Sequence, residues 1–311
     1  MPLARSVFGR GILVTDMDFL KTVRRRSFLS EIVYIVLNVG LAAVLVFLVR
    51  ITGSPFPAFA FVILSMWRVL AVRPRFWIAH IQANLVCFIV SISFVVFLYV
   101  INLANIGDLN SLIVQSIVAV FFIAWSLFLK PQSKRFYVVL QAGVALFVGI
   151  AAIYTVSYGW LVLLVVLMVW IVGYATARHV LSNYEEPHLI LLSLAWGLVM
   201  AEIGWLAYHW TIAYPILPNI LLPQISIITL SYGFLTYKMY DAYFHNQAIR
   251  FNDVFLPLSF AINISIVLML FFNKPGSASI NVLSLIATLG IMLVVESIIY
   301  LIINQKFFAQ K

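Results

Sequence analysis

Apolar runs long enough to cross a bilayer recur along the whole chain, and they constrain its fold more than any other feature. The hydrocarbon core of a bilayer is about 30 Å thick, so a crossing helix needs about 20 apolar residues. Such runs cover residues 32–51, 55–70, 78–104, 110–129, 136–157, 159–177, 189–210, 215–237, 254–272 and 280–304. They are continuously apolar rather than alternating, which favours helices over a β-barrel. The sequence therefore predicts an all-α, polytopic transmembrane helix bundle of about ten spans.

The composition excludes a soluble globular fold. Of the 311 residues, 64% are hydrophobic and only 9% are charged, too few charges to cover the surface of a soluble domain of this length. The one cysteine, Cys87, lies inside an apolar run. A disulfide framework or a thiolate metal site within one chain is therefore excluded.

The basic residues fall on alternate sides of the predicted spans. All of the 19 lysines and arginines except Arg50 and Lys274 lie in the N-terminal segment, in the loops after even-numbered spans, or at the C-terminus. This asymmetry predicts that both termini are cytoplasmic and that the protein is a multi-pass protein of the inner (cytoplasmic) membrane. It also explains the net charge of +9 through contact with the lipid bilayer, without a nucleic-acid partner.

The sequence divides the chain into three predicted segments. Residues 1–30 mix basic and apolar residues and are predicted to form a cytoplasmic interfacial segment. Residues 31–305 form the transmembrane domain, and residues 306–311 are a cytoplasmic tail. Because the predicted loops are short, no soluble catalytic or binding domain is expected.

Two acidic residues lie well inside predicted spans. Glu202 and Glu296 both fall near the middle of the bilayer, and no lysine or arginine lies at a comparable depth. A bare carboxylate is costly there, so each should be protonated or should face water or a cation. Trp205 and His209 share one helical stripe with Glu202. These four residues are candidates for binding a proton, a cation or a substrate, and a structural hydrogen bond to a neighbouring helix is the alternative.

Other residues carry weaker signals. Gln224 follows Pro223 in a run that also contains Pro215 and Pro218, and an interrupted membrane helix can bind a substrate or an ion. It is therefore a further binding candidate, with a structural kink as the alternative.

One face of the run 189–210 carries small residues suited to close helix packing, namely Gly197, Ala201 and Gly204.

A basic cluster at the predicted inner face could bind a lipid headgroup. It lies in "WRVLAVRPRFWIAH" and consists of Arg68, Arg73 and Arg75. Anchoring of the helix end by the positive-inside rule is the alternative.

Enzyme motifs are missing from the sequence. It has no H-E-x-x-H, G-x-S-x-G or G-x-x-x-x-G-K-[ST] pattern, whose spacings serve zinc, acyl-transfer and phosphate chemistry. We therefore expect no catalytic residues, no bound metal and no cofactor.

Five spans in each half, 32–157 and 159–304, resemble the drug/metabolite transporter superfamily in span number and topology. That resemblance implies halves related as inverted repeats. The stretches "AVRPRFWIAHIQANLVCFIVSISFVVFLY" and "LAWGLVMAEIGWLAYHW" also look similar to uncharacterised bacterial multi-pass inner-membrane proteins, which implies no activity. The leading hypothesis is a secondary transporter of a small solute with proton or cation coupling. The alternative is a non-transporting subunit or scaffold that binds a membrane-protein partner or lipid.

Overall fold

The computed structural model describes residues 28–67, 71, 73–104, 106–210, 213–217, 220–271 and 294. The N-terminal half of this part contains α1 (Phe28–Thr52), α2 (Phe56–Ser65), α3 (Trp77–Leu103), α4 (Asp108–Ala124) and α5 (Arg135–Val156). Then follow α6 (Val162–Ser182), α7 (Leu189–Trp210), β1 (Ala213–Leu217), β2 (Ile220–Pro223), α8 (Gln224–Asn246) and α9 (Phe251–Phe271). A single 3₁₀ turn, Pro74–Phe76, precedes α3.

Six helices in the described part are long and apolar enough to cross a membrane. They are Glu31–Thr52, Pro74–Leu103, Asp108–Leu129, Arg135–Val156, Val162–Ser182 and Leu189–Trp210. They agree with six of the predicted spans and confirm a helical membrane bundle. The protein is an integral membrane protein.

The prediction of a spanning helix over residues 215–237 is wrong in its first part. Two short strands occupy it, with antiparallel pairs from Ala213 with Pro223 to Leu217 with Ile220. The helix begins only at Gln224, directly after Pro223. The prolines explain this difference, because each lacks a backbone N–H donor and has a fixed φ. Gln224 is therefore the first residue of the helix Gln224–Asn246, and the proline-containing segment lies before it.

The remaining predicted spans are not confirmed. Within 55–70 the helix Phe56–Ser65 has 10 residues and is about 15 Å long, half of the hydrocarbon thickness. Within 254–272 the structure has α9, and 280–304 lies outside the described residues except for Val294. About ten spans, the cytoplasmic termini and the two inverted halves thus stay predictions.

Glycines bring α6 and α7 into close contact. A Cβ added at Gly173 would lie 2.7 Å from Cβ and Cγ of Met200, and one at Gly204 would lie 2.9 Å from a methyl carbon of Val169. At Gly197 the added carbon would lie 3.0 Å from the indole nitrogen of Trp170. The predicted small-residue surface of α7 is therefore confirmed at Gly197 and Gly204.

α5 lies among α3, α6 and α8 and contacts all three. One of its residues, Ile150, is fully buried in the main apolar core together with Leu98 of α3 and Val169 of α6. Tyr154 also donates a hydrogen bond of 2.6 Å to the carbonyl of Gly204 on α7. α5 therefore contacts the helices that surround the candidate site.

The loops before α5, between α6 and α7 and after α8 lie at one end of the bundle. Asn183 donates to the carbonyl of Ser133 at 3.4 Å, and Tyr184 donates to Asp241 at 2.7 Å. We call this end the basic face, formed by residues 130–135, 183–188 and 238–250. At the opposite end Tyr208 donates to the carbonyl of Trp160. These contacts place the three loops at the same end of the bundle, as the alternation of basic residues predicts.

Candidate functional site

A polar cluster joins the start of α5, the loop between α6 and α7, and the C-terminal part of α8 at the basic face. The carboxylate of Asp241 accepts a hydrogen bond from Tyr184, lies 4.0 Å from the guanidinium of Arg135 and lies 3.4 Å from Nδ1 of His245. The same guanidinium stacks 4.2 Å above the ring of Tyr184. The carboxylate of Asp241 therefore has three polar neighbours. Through these contacts the cluster links the ends of separate helices.

A second pair completes this polar cluster. The hydroxyl of Tyr240 donates to the carboxylate of Glu186, and the rings of Tyr184 and Tyr240 pack edge to face at 5.0 Å. We use the name polar cluster for Arg135, Tyr184, Glu186, Tyr240, Asp241 and His245.

The environment of the polar cluster keeps both tyrosines protonated. Burial raises the pKa of Tyr184, and the hydrogen bond to Asp241 raises it further. Burial likewise raises the pKa of Tyr240, with its bond to Glu186 as the second cause. Each hydroxyl donates to a carboxylate, and its ionisation would place two negative charges side by side.

Stability is expected to fall as the pH rises above about 10, the ordinary pKa of tyrosine. In the folded protein Tyr184 and Tyr240 hold protons that the unfolded chain releases above this pH, so their contribution is complete below about pH 10 and is lost at higher pH. Thermal unfolding in detergent between pH 8 and 11 measures the effect.

The double variant Tyr184→Phe/Tyr240→Phe should lose part of this pH dependence of the unfolding midpoint. Tyr158→Phe, at a site that is 99% exposed, should keep it, and equal slopes in all three proteins would contradict the prediction.

The side chain of Gln141 forms hydrogen bonds at the C-terminal end of α4. At that end Trp125–Leu129 forms a π-helical turn, and the amide nitrogen of Gln141 donates to the carbonyls of Leu129 at 2.6 Å and Gln132 at 2.9 Å. The amide oxygen lies 2.7 Å from Nε2 of His179. Because carbonyls only accept, the amide orientation is fixed and His179 donates from Nε2. This network joins α4, α5 and α6 beside a polar recess of about 450 Å³.

A large apolar cavity lies between the helices above the basic face. Its volume is about 1140 Å³, and its walls come from α4, α5, α6, α7 and α8. This volume is slightly above the usual range of about 300–1,000 Å³ for small-molecule sites. The walls are nearly all aliphatic or aromatic, with Phe147, Trp196 and Phe234 among the largest side chains. Such walls accept an apolar molecule or the apolar part of an amphiphile.

Polar groups at the cavity lie toward the basic face. Lys238 and Tyr240 belong to its lining, and Tyr240 is also part of the polar cluster. Trp125 lines the cavity from the π-helical turn and is only 7% exposed. Among the described residues its indole N–H has no hydrogen-bond acceptor. A buried donor without an acceptor is costly, and no other described residue offsets that cost at Trp125.

The predicted stripe on α7 lies at the rim of the cavity. Ala195 and Val199 line the cavity, and Glu202 continues their row by one helical turn. Glu202 is exposed and makes no hydrogen bond or salt bridge with the described residues. The rings of Trp205 and His209 are in contact at 5.1 Å, and both residues are exposed. None of the three predicted residues belongs to the cavity lining itself.

Among the other predicted site residues, the three that the structure describes lie apart from the cavity lining. Gln224 is buried at the start of α8, and its amide nitrogen has no partner among the described residues. Arg73 and Arg75 are exposed at the 3₁₀ turn, where the guanidinium of Arg75 stacks 4.6 Å from the ring of Phe76. Arg68 and Glu296 lie outside the described residues. Their roles stay predictions.

Sequence reasoning missed the cavity and the partners within the polar cluster. The cavity is built from residues that resemble lipid-facing or core positions, so no local pattern distinguishes them. The polar cluster had a signal, since Tyr184, Glu186, Asp241 and His245 fall in loops or helix ends predicted to share one face. Only the rotation of each helix, however, determines which of these side chains meet.

No protein-family model, curated protein or solved structure matches this chain.

Proposed function

We propose that this integral membrane protein is a secondary transporter of an apolar or amphiphilic solute, with the cavity as its binding site. The observation that carries the proposal is the cavity of about 1140 Å³, which is lined by four of the six apolar helices and by α8. Lipid chains or a ligand would fill a space of this size, because apolar walls do not favour water. A transporter needs such a site within the membrane.

Glu202 is the proposed coupling residue. It is exposed one helical turn beyond the cavity-lining Val199, and no described residue neutralises it. An intramembrane carboxylate that can reach water or a cation can change its charge during a transport cycle. Glu296 is proposed as the second coupling residue on its predicted depth alone. The basic face is proposed to be cytoplasmic in an inner membrane.

The test is solute-driven proton movement in liposomes. The purified protein is reconstituted with a trapped pH-sensitive dye, and small amphiphiles with phosphate, carboxylate or ammonium heads are added to the outside. One class of solute should move protons in wild-type liposomes above the rate in empty ones, and Glu202→Gln should lower that rate about tenfold or more.

Glu185→Gln is the matched control, because Glu185 is an exposed carboxylate on the basic face, outside the apolar helices. It should retain the wild-type rate and pH dependence. Rates for Glu202→Gln equal to those of Glu185→Gln would remove Glu202 from the mechanism. No flux above empty liposomes with any head group would favour the second candidate.

The second candidate is a non-transporting subunit that binds lipid or another membrane protein. It is favoured by the same cavity, since a permanently bound lipid would stabilise the bundle without crossing the membrane. Co-purification of one stoichiometric protein partner, together with absent flux, would support it.

A further inference from the structure

We propose that the cavity binds an anionic lipid from the leaflet at the basic face, with its acyl chains between the helices and its headgroup at Lys238. This inference rests on the proposed function, because it names the class of molecule that the binding site takes. The depth of the cavity and the charge at its mouth support it.

The depth of the cavity matches one leaflet. Along α5 the lining residues extend from Phe136, beside the basic face, to Val148, a distance of about 18 Å at 1.5 Å per residue. One leaflet contributes about half of the 30 Å hydrocarbon core. Acyl chains anchored at the basic face would therefore fill the cavity along its length.

The charge at the mouth of the cavity is positive and unpaired. Nζ of Lys238 lies 5.5 Å from the ring of Tyr237 and 5.9 Å from that of Phe234, and no described carboxylate lies within salt-bridge distance of it. The nearby acids are already engaged, Asp241 with Arg135 and Tyr184, and Glu186 with Tyr240. Lys238 is thus available to a phosphate, which a lysine binds as a compact positive charge. A purely apolar solute would leave Lys238 without an ionic partner, whereas the phosphate of an anionic lipid would supply one.

Native mass spectrometry of the full chain tests this inference. The protein is released from micelles after incubation with phosphatidylglycerol or phosphatidylcholine of identical chains. Wild type should retain the anionic lipid about tenfold better, an advantage on the scale of one charge-assisted contact. Lys238→Gln should abolish that preference, and Lys134→Gln, which removes an exposed lysine of the same face that does not line the cavity, should keep it.

A second pair of variants tests the location. Ala195→Trp places a large ring at an exposed position of the cavity wall, whereas Leu198→Trp places it on the same helix away from the lining. Ala195→Trp should lose retention of both lipids, and Leu198→Trp should bind like wild type. Equal retention of the two lipids by wild type, or an unchanged preference in Lys238→Gln, would overturn the inference.

A different result would contradict the proposed function. If Ala195→Trp lowers flux while Lys238→Gln shows no lipid effect, the cavity carries another solute and only the lipid assignment fails. If Ala195→Trp leaves a measured flux unchanged, the cavity is not the transport site, whatever lipid it retains.

Discussion

Replacing Gly173 with leucine is expected to destabilise the bundle by about 3 kcal/mol or more, because the new side chain has no room between α6 and α7. Its Cβ alone would lie 2.7 Å from two carbon atoms of Met200 and 3.3 Å from Cα of Gly197. Met200 is fully buried, so it cannot rotate away into the lipid. The two helices would have to separate along a contact that also supports the cavity wall on α7.

The matched control for this variant is Gly40→Leu. Gly40 is exposed within α1, and an added Cβ there would meet nothing within 4 Å. Thermal unfolding in detergent, followed by loss of the monodisperse species, should give a wild-type midpoint for Gly40→Leu and a strongly lowered midpoint for Gly173→Leu. Equal midpoints would mean that α6 and α7 do not pack as closely as described.

Replacing Gln141 with leucine is expected to cost roughly 3 kcal/mol, the second-largest effect. The change keeps the apolar volume but removes the donors to the carbonyls of Leu129 and Gln132 and the acceptor for His179. Buried groups left without partners each cost about 1–3 kcal/mol. The π-helical turn that carries Trp125 should loosen with them.

Gln82→Leu provides the comparison for Gln141→Leu. Gln82 is half-buried on α3, and none of the hydrogen bonds seen among the described residues involves its side chain. Its replacement should leave the unfolding midpoint within about a degree of wild type, as for a site without a special contact. A midpoint for Gln141→Leu as high as that of Gln82→Leu would show that the amide network contributes no stability.

The apolar runs predicted the membrane helices well where local composition determines the structure. The runs 78–104, 136–157 and 189–210 correspond closely to α3, α5 and α7. The reason is that a sufficiently long apolar segment is stable in a bilayer as a helix, which satisfies its own backbone hydrogen bonds. The run 215–237 failed at its start, where three prolines in nine residues lack the N–H donors that a continuous helix needs. Hydropathy alone does not contain that information.

The candidate site could be predicted only in part. Glycines at 197 and 204 showed which face of α7 packs closely, because small residues allow helix contact. The pairing of Tyr184 with Asp241, 57 residues apart, depends on how α8 is rotated. The cavity depends on how five helices diverge, and each of its residues alone would suit a lipid-facing surface equally well.

The most direct measurement is a structure determined in nanodiscs that contain phosphatidylglycerol, with a bound antibody fragment to enlarge the particle. We predict elongated density in the cavity, beginning beside Lys238 and continuing along α5 toward Val148. A cavity closed by movement of α7 or α8, or filled by other parts of the chain, would contradict the account and leave no site for a transported solute.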